Sequence, residues 1–349
     1  MPAQPAIDWK LSEHVRLLRL AAVGSVDDGK STLIGRLLVE TKGAFEDQLL
    51  SLRRRRHVAD EDEINLALLT DGLKEEREQG ITIDVAWRYF ATPKRKFIMA
   101  DCPGHEQYTR NMVTGASTAQ AAIVLVDARH GMQEQTKRHM HILALLGVPH
   151  LIVAVNKMDL VDWNEARFAA IAEEVRAFAA KQGVRDLHIV PISALKGDMV
   201  AWRGEHLGWY QGPTLLEILE TLDVSDALDE KPMRLPVQLV NRPDDPKLQD
   251  FRGYMGRLAS GVIRPGDEVL CLPANMIARI ERIVAFGGDL NEAFAPMSVC
   301  VTIDRDIDLA RGSMIAAPDA PPVPAKEIVA DLCWLGEQPL VPRKKYRLK

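Results

Sequence analysis

Between the apolar run Leu17–Val23 and a segment with helical spacing from Lys30 to about Glu40 lies Gly24-Ser25-Val26-Asp27-Asp28-Gly29-Lys30-Ser31-Thr32. It fits the pattern G-x-x-x-x-G-K-[ST] and sits where the pattern must, after a strand and before a helix. The glycines let backbone N–H groups curl around phosphate oxygens, and the helix N-terminus adds its positive dipole end. Lys30 is spaced to reach the β- and γ-phosphates of a nucleoside triphosphate, and the Ser31 hydroxyl to bind Mg²⁺. The loop alone leaves the base open.

Four more short, continuous apolar runs follow: Phe97–Ala100, Ala122–Val126, Leu151–Val155 and Leu187–Ile192. None alternates, as expected of strands buried on both faces. Between them, helical spacing runs from about Gln133 to Leu146 and from about Glu165 to Lys181. This alternation predicts an α/β domain, a mostly parallel sheet with helices on both faces and right-handed crossovers. After Leu222 the pattern changes. Asp223–Pro232 is acidic, aperiodic and reads as a linker. Beyond it come Pro236–Val240, Gly253–Leu258, Glu268–Leu272, Ile277–Val284 and Ser298–Ile303, separated by Ser260-Gly261, Pro265-Gly266-Asp267 and Gly287-Gly288-Asp289. Short strands between turn signals predict a small antiparallel β-barrel. The Ala- and Pro-rich stretch from Pro318 reads as an extended connector, and Ile328–Leu335 as the start of another strand. The predicted domains are 1–225, 226–325, and a remnant or tail at 326–349.

Three further motifs narrow the ligand. Asn156-Lys157-Met158-Asp159 directly follows a predicted strand. A carboxylate such as Asp159 accepts two hydrogen bonds, which the N1–H and exocyclic amine of guanine supply together; adenine offers no such pair. Asn156 and Lys157 brace the loop and cover the ring, and Ser193-Ala194-Leu195 supplies backbone donors to the base. Asp101-Cys102-Pro103-Gly104 ends the strand Phe97–Ala100. Asp101 is expected to hold Mg²⁺ through water, and Gly104 N–H to approach a γ-phosphate because no Cβ intervenes. His105 comes next and is expected to orient the attacking water, a task that another GTPase class gives to Gln. Gly80-Ile81-Thr82-Ile83 follows the charged segment Glu75–Gln79 and leads into a strand predicted over Ile83–Trp87. Thr82 is expected to give its hydroxyl to Mg²⁺ and its N–H to the γ-phosphate, with the preceding segment folding onto the nucleotide only when that phosphate is present. The catalytic set is thus Lys30, Thr82 and His105; the metal set is Ser31, Thr82 and Asp101.

Composition removes other classes. The 349 residues carry a net charge of −5, which argues against binding nucleic acid or anionic membrane by bulk charge. No apolar run approaches the roughly 18 residues of a membrane span, and the first ten residues lack the apolar core of a signal peptide. The cysteines, Cys102, Cys271, Cys300 and Cys333, form no C-x-x-C pair and read as reduced thiols of a cytoplasmic protein. Cys102 has no indicated histidine partner that would make it a nucleophile. His139 and His141, two apart, do not share a helix face and imply no metal site. Arg53–Arg56 reads as a solvated helix face or a partner contact, and Trp202 and Trp209 as packing residues.

Taken in order, these motifs resemble the translational-factor class of P-loop GTPases, with Ile81-Thr82-Ile83, Pro103-Gly104-His105 and the hairpin Arg257–Asp267 typical of it. Within the class, Gly24–Leu38, Asp71–Asp84, Pro103–Met112, Gly212–Glu217, Pro232–Pro243, Asp250–Tyr254 and Arg311-Gly312 resemble the GTPase (large) subunit of bacterial sulfate adenylyltransferase. The resemblance runs from about Leu17 to Pro339. It implies GTP/GDP and Mg²⁺ as ligands and a hetero-oligomer with a small catalytic subunit that carries the ATP and sulfate site. GTP hydrolysis would there be coupled to the strongly uphill synthesis of adenylylsulfate in sulfate assimilation. It also implies a third domain, a second β-barrel, of which the given sequence holds at most the start; no second phosphate loop marks a fused adenylylsulfate kinase. The alternative is an elongation-type GTPase that binds aminoacyl-tRNA and the ribosome, although elongation factors usually carry His where this chain has Asp28. A third reading is a nucleotide-dependent scaffold without useful hydrolysis of its own.

Overall fold

The computed structural model describes residues 17–41, 82, 84–224, 231–243, 251–285, 288–323, 325–330, 332–336 and 338–346. The Arg53–Arg56 run, Glu75–Ile81, Ile83 and Gly287 lie outside the described residues, as does most of the expected linker. The chain divides into two units, Met1–Leu222 with Asp331–Lys349, and Asp223–Ala330.

The first unit is a six-stranded sheet in the order β2-β3-β1-β4-β5-β6. Its strands are β1 (Leu17–Val23), β2 (Ala86–Ala91), β3 (Lys96–Asp101), β4 (Ala121–Asp127), β5 (His150–Asn156) and β6 (Asp186–Pro191). β1 pairs in parallel with β3 on one side and β4 on the other, and β4, β5 and β6 continue in parallel. Every residue of β4 is buried, which explains its unbroken apolar run. β2 is antiparallel to β3 and forms an edge. Predicted over Ile83–Trp87, this strand instead begins at Ala86. Its alternation, with Trp87 and Tyr89 exposed between half-buried Ala86 and Arg88 and buried Phe90, is that of an edge strand wetted on one face.

Among the described residues the strands are joined by α1 (Lys30–Glu40), α2 (Thr109–Ala116), α3 (Glu134–Leu145), α4 (Glu165–Lys181) and α5 (Leu215–Thr221). α1 buries Leu33, Ile34, Leu37 and Leu38 along one stripe. α4 is capped by Asn164, whose side chain accepts from Arg167 N–H. α5 opens with a capping box between Thr214 and Glu217. Because the chain goes from β1 to β2 and β3 on one side of it and then crosses from β3 to β4 on the other, the carboxyl ends of these strands form a crevice at a topological switch point. Asp101, Asp127 and Asn156, the last residues of β3, β4 and β5, stand at its rim.

The second unit is antiparallel throughout. Its main sheet runs β7 (Arg234–Pro236), β16 (Met314–Ala316), β11 (Glu268–Leu272), β12 (Met276–Ala285), β15 (Ser298–Ile303), β9 (Gly253–Arg257) and β8 (Leu239–Asn241), with β13 (Gly288–Leu290) beside β12. β10 (Val262–Ile263) and β14 (Ala293–Phe294) form a separate pair. The sheet closes on itself. Arg234 of β7 donates its N–H to Ser260 O and accepts from Ala259 N–H, just past β9. Leu235, Tyr254, Val269, Ile280, Ile283 and Val301 fill the interior. The expected strand Pro236–Val240 is split in two, since Val237 N–H turns to Ser313 O and Gln238 N–H to Met255 O. The strand expected at Ile328–Leu335 is not formed by the described residues there. Ile328 and Val329 are 70% and 105% exposed, so the apolar run has no sheet to pair with. Among the described residues no helix is long and apolar enough to cross a membrane.

Candidate functional site

The phosphate loop is held by its own polar groups. Gly29, at φ 91°, caps α1 in the left-handed region, and Asp27 also has positive φ. A side chain at Gly29 would be strained, and its Cβ would lie 2.5 Å from Asn156 Nδ2. The Asp28 carboxylate accepts from Ser25 N–H at 2.7 Å, which pins the turn. Burial pushes the Asp28 carboxyl above its ordinary range, against the opposing pull of that N–H and of Lys30. Lys30, in the first turn of α1, is buried and donates from Nζ to Gly24 O and Ser25 O, each at 2.9 Å. Its desolvation lowers its pKa, while Asp101 and Asp28 act to keep it charged. Lys30, Ser31, Thr32, Gly29, Asp27 and Val26 line one cleft of about 250 Å³ together with Thr82, Gly104, His105 and Lys157.

Opposite the loop, Asp101 ends β3 fully buried, and Cys102 N–H donates to Ala22 O of β1. The Cys102 thiol lies near Ala100 O and Met112 O, and burial pushes its pKa far up, so it is a packing group and no nucleophile. After Pro103 the chain passes so close to the phosphate loop that a Cβ at Gly104 would lie 2.4 Å from Lys30 Nζ and 2.6 Å from Gly24 O. His105 caps the short 3₁₀ turn Glu106–Tyr108 by accepting from Gln107 N–H on Nδ1 at 3.3 Å. A neutral ring so held keeps its proton on Nε2.

The base side is built at the ends of β5 and β6. Asn156 is 2% exposed and joins two loops. Its Nδ2 donates to Asp28 O at 2.8 Å, and its Oδ1 accepts from Ala194 N–H at 2.9 Å. Lys157 has positive φ and reaches back, donating to Asp27 O and pairing with Asp127 Oδ2 at 2.9 Å. Met158 is buried and Asp159 half-buried in the 3₁₀ turn Met158–Val161. Ser193 is buried; its Oγ accepts from Lys196 N–H and its carbonyl from Gly197 N–H, folding Ser193–Leu195 into a tight loop with Leu195 exposed.

Val26, Asp27, Gly29, Lys30, Ser31, Thr32, Thr82, Gly104 and His105 therefore converge in one cleft, whereas Gly24, Ser25, Asp28, Asp101, Cys102 and Pro103 are not among the residues lining it. Asp159 and Ser193–Leu195 do not line it; Ala194 is tied to the phosphate loop at Asp28 through Asn156. Sequence reasoning missed Asp127, whose carboxylate is held far below the usual range by Arg129 and Lys157 despite burial. Its signal was the one Asp101 and Asn156 also give, a polar residue closing a buried strand. It missed Arg36 as well. His139 and His141 turn apart as expected, the first buried against Gln135 and the second exposed against Gln182. Trp209 packs on Phe168 and Tyr210, as expected of a core residue, whereas Trp202 is 62% exposed and donates its indole N–H to Glu40.

Residues 15–231 match the family model described as the elongation factor Tu GTP binding domain. Over 345 residues the chain is 52% identical to the sulfate adenylyltransferase subunit 1 of Salmonella arizonae, covering 98% of this chain and 71% of that protein. Among solved structures, the Ski7 GTPase-like domain of S. cerevisiae bound to GTP is similar at TM-score 0.58 and 17% identity, covering 87% of this chain and 75% of that one. The bacterial selenocysteine-specific elongation factor EF-Sec is similar at TM-score 0.51 and 24% identity, covering 87% and 45%. These two likenesses concern the fold alone.

Proposed function

The chain belongs to the sulfate adenylyltransferase subunit 1 family, and from that premise we propose that it binds and hydrolyses GTP and couples the hydrolysis to adenylylsulfate synthesis from ATP and sulfate on a small partner subunit. The observation that carries this reading is Asn156. By bonding Asp28 O and Ala194 N–H at once, it makes the phosphate loop and the base loop one frame. Such a frame is what a ligand with a phosphate chain at one end and a guanine at the other requires.

In this reading Gly24–Thr32 surround the phosphates, with Lys30 moving from the loop carbonyls to phosphate oxygens. Asp159 takes guanine N1–H and the exocyclic amine, while Asn156, Lys157, Met158 and Ser193–Leu195 seat the ring. Asp101, Cys102, Pro103 and Gly104 carry the γ-phosphate contact. The bare approach of Gly104 to Lys30 is a cradle that any Cβ would fill. The hydroxyls of Ser31 and Thr82 and the buried carboxylate of Asp101 are hard oxygen donors of the sort Mg²⁺ takes, and would hold it to neutralise phosphate charge. Hydrolysis forms a bond from water oxygen to the γ-phosphorus and breaks the bond to the β–γ bridging oxygen, the proton lost by the water ending on the released phosphate. With Nδ1 accepting from Gln107 N–H, His105 has Nε2 left to orient that water.

Binding of GTP and of GDP would set Thr82 and Gly104–His105 differently, and the partner's equilibrium moves only by the difference in its contacts with the two states. A cytoplasmic hetero-oligomer in sulfate assimilation follows from the same reading. Single-turnover GTP hydrolysis, measured with and without the small subunit, tests it. The expected result is a slow intrinsic rate raised by the partner together with its substrates; no hydrolysis under either condition would leave only a scaffold.

A further inference from the structure

Arg36 lies six residues beyond the phosphate-loop lysine, on the same helix, and points away from the phosphates. Its Nε donates to Ala194 O at 3.1 Å, and its NH2 group donates to Leu195 O. Gly197 closes the loop at φ +94°, and a Cβ there would lie 3.8 Å from the guanidinium. The guanidinium is set in turn. Its NH1 faces Glu40 Oε1 at 3.6 Å, one helical turn on, and Glu40 Oε2 accepts from the Trp202 indole at 2.9 Å. Arg36 and Glu40 side chains are only 20% and 23% exposed. A planar fork serving two successive carbonyls fixes a loop in a way a point charge does not.

Resting on the guanine reading of the cleft, we propose that Arg36 is a positioning residue for base selectivity: by holding the carbonyl of Ala194 it sets the Ala194–Leu195 peptide plane and so aims the Leu195 N–H at the guanine O6, the Ala194 N–H being taken by Asn156. The peptide planes of this loop have their orientation set from both ends, by Asn156 on the N–H of Ala194 and by Arg36 on the carbonyls. α1 thereby couples the two halves of the ligand, with its first turn at the phosphates and its second at the base loop. Glu40 and Trp202 support this indirectly by orienting the guanidinium.

The test separates O6 from the rest of the base. Dissociation constants for GDP, 6-thio-GDP and IDP are measured by competition against a fluorescent GDP analogue. Thio substitution weakens the O6 acceptor; inosine lacks the amine read by Asp159. Wild type should favour GDP over both. Arg36→Ala should weaken GDP roughly tenfold and bring the GDP to 6-thio-GDP preference to within about twofold, while the GDP to IDP preference stays. Arg36→Lys should restore part of the O6 preference, and Trp202→Phe should reduce it by about twofold. These two variants carry the test if Arg36→Ala does not fold. An unchanged O6 preference overturns the proposal. So does an equal loss for all three nucleotides, because that is the signature of lost packing. Wild type that fails to prefer GDP over ADP overturns the guanine reading itself.

Discussion

Replacing Asn156 by Ala removes the amide that joins the two halves of the cleft. Two buried partners are stranded at once: the Asp28 carbonyl, now bonded at 2.8 Å, and the Ala194 N–H, at 2.9 Å. With the side chain 2% exposed, water does not readily replace it. A stranded buried polar group costs about 1–2 kcal/mol, so the pair amounts to about 2–4 kcal/mol. For a unit of this size that corresponds to a melting-temperature decrease of roughly 5–15 °C. GDP affinity should fall by roughly 30-fold or more, through faster dissociation, because both loops relax. Calorimetry and stopped-flow release of a fluorescent GDP measure the two effects. Asn156→Asp keeps an acceptor for Ala194 N–H but sets a carboxylate against the Asp28 carbonyl, and should recover less than half of the loss. A melting temperature within 1 °C of wild type, with unchanged GDP release, would refute the argument that this residue frames the site.

Gly104→Ala places a methyl group against Lys30 Nζ and the Gly24 carbonyl. It should slow single-turnover GTP hydrolysis by roughly 10–100-fold while changing GDP affinity less than threefold, as the strain of about 1–3 kcal/mol falls on the γ-phosphate side. Asp159→Asn should move preference from GTP to xanthosine triphosphate, read by titration with both; retained GTP affinity would count against the guanine assignment. His139 is buried and held neutral, its pKa lowered to about 3 by desolvation first and then by Lys30 and Arg138. The unfolded histidine, at about 6.5, takes up a proton that the native one refuses, so this stability is complete above pH 6.5 and is lost as pH falls toward 3. At pH 5 the loss from this residue is about 2 kcal/mol, and His139→Gln should flatten denaturant stability between pH 7 and 5 by about that amount.

Much of the parallel sheet was legible because each strand is buried on both faces. Leu17–Val23, Glu165–Lys181 and Ser298–Ile303 match the expected bounds residue for residue. The phosphate loop was legible because its chemistry is local, as were the strand-ending residues Asp101 and Asn156. The edge strand β2 was harder, since Trp87 and Tyr89 face water and Arg88 interrupts its apolar residues. β10 and β14, two residues each, exist by virtue of their pairing with one another and have no period to read. α5 carried a readable sign in Thr214 and Glu217, a capping box three residues apart. Arg36 carried none. Its partners lie 158 and 159 residues away, and an arginine on an amphipathic helix looks the same whether it meets solvent or a carbonyl pair. The apolar stretch from Ile328 misled for the converse reason, having the composition of a strand and no neighbour to pair with.

The central claim is coupling, and reconstitution with the small subunit tests it most directly. Adenylylsulfate formed from ATP and sulfate is measured with GTP, with a non-hydrolysable GTP analogue, and with no guanine nucleotide. The account predicts that synthesis rises well above the nucleotide-free level only with GTP, in step with phosphate released from it. Equal adenylylsulfate yields with and without GTP would contradict it.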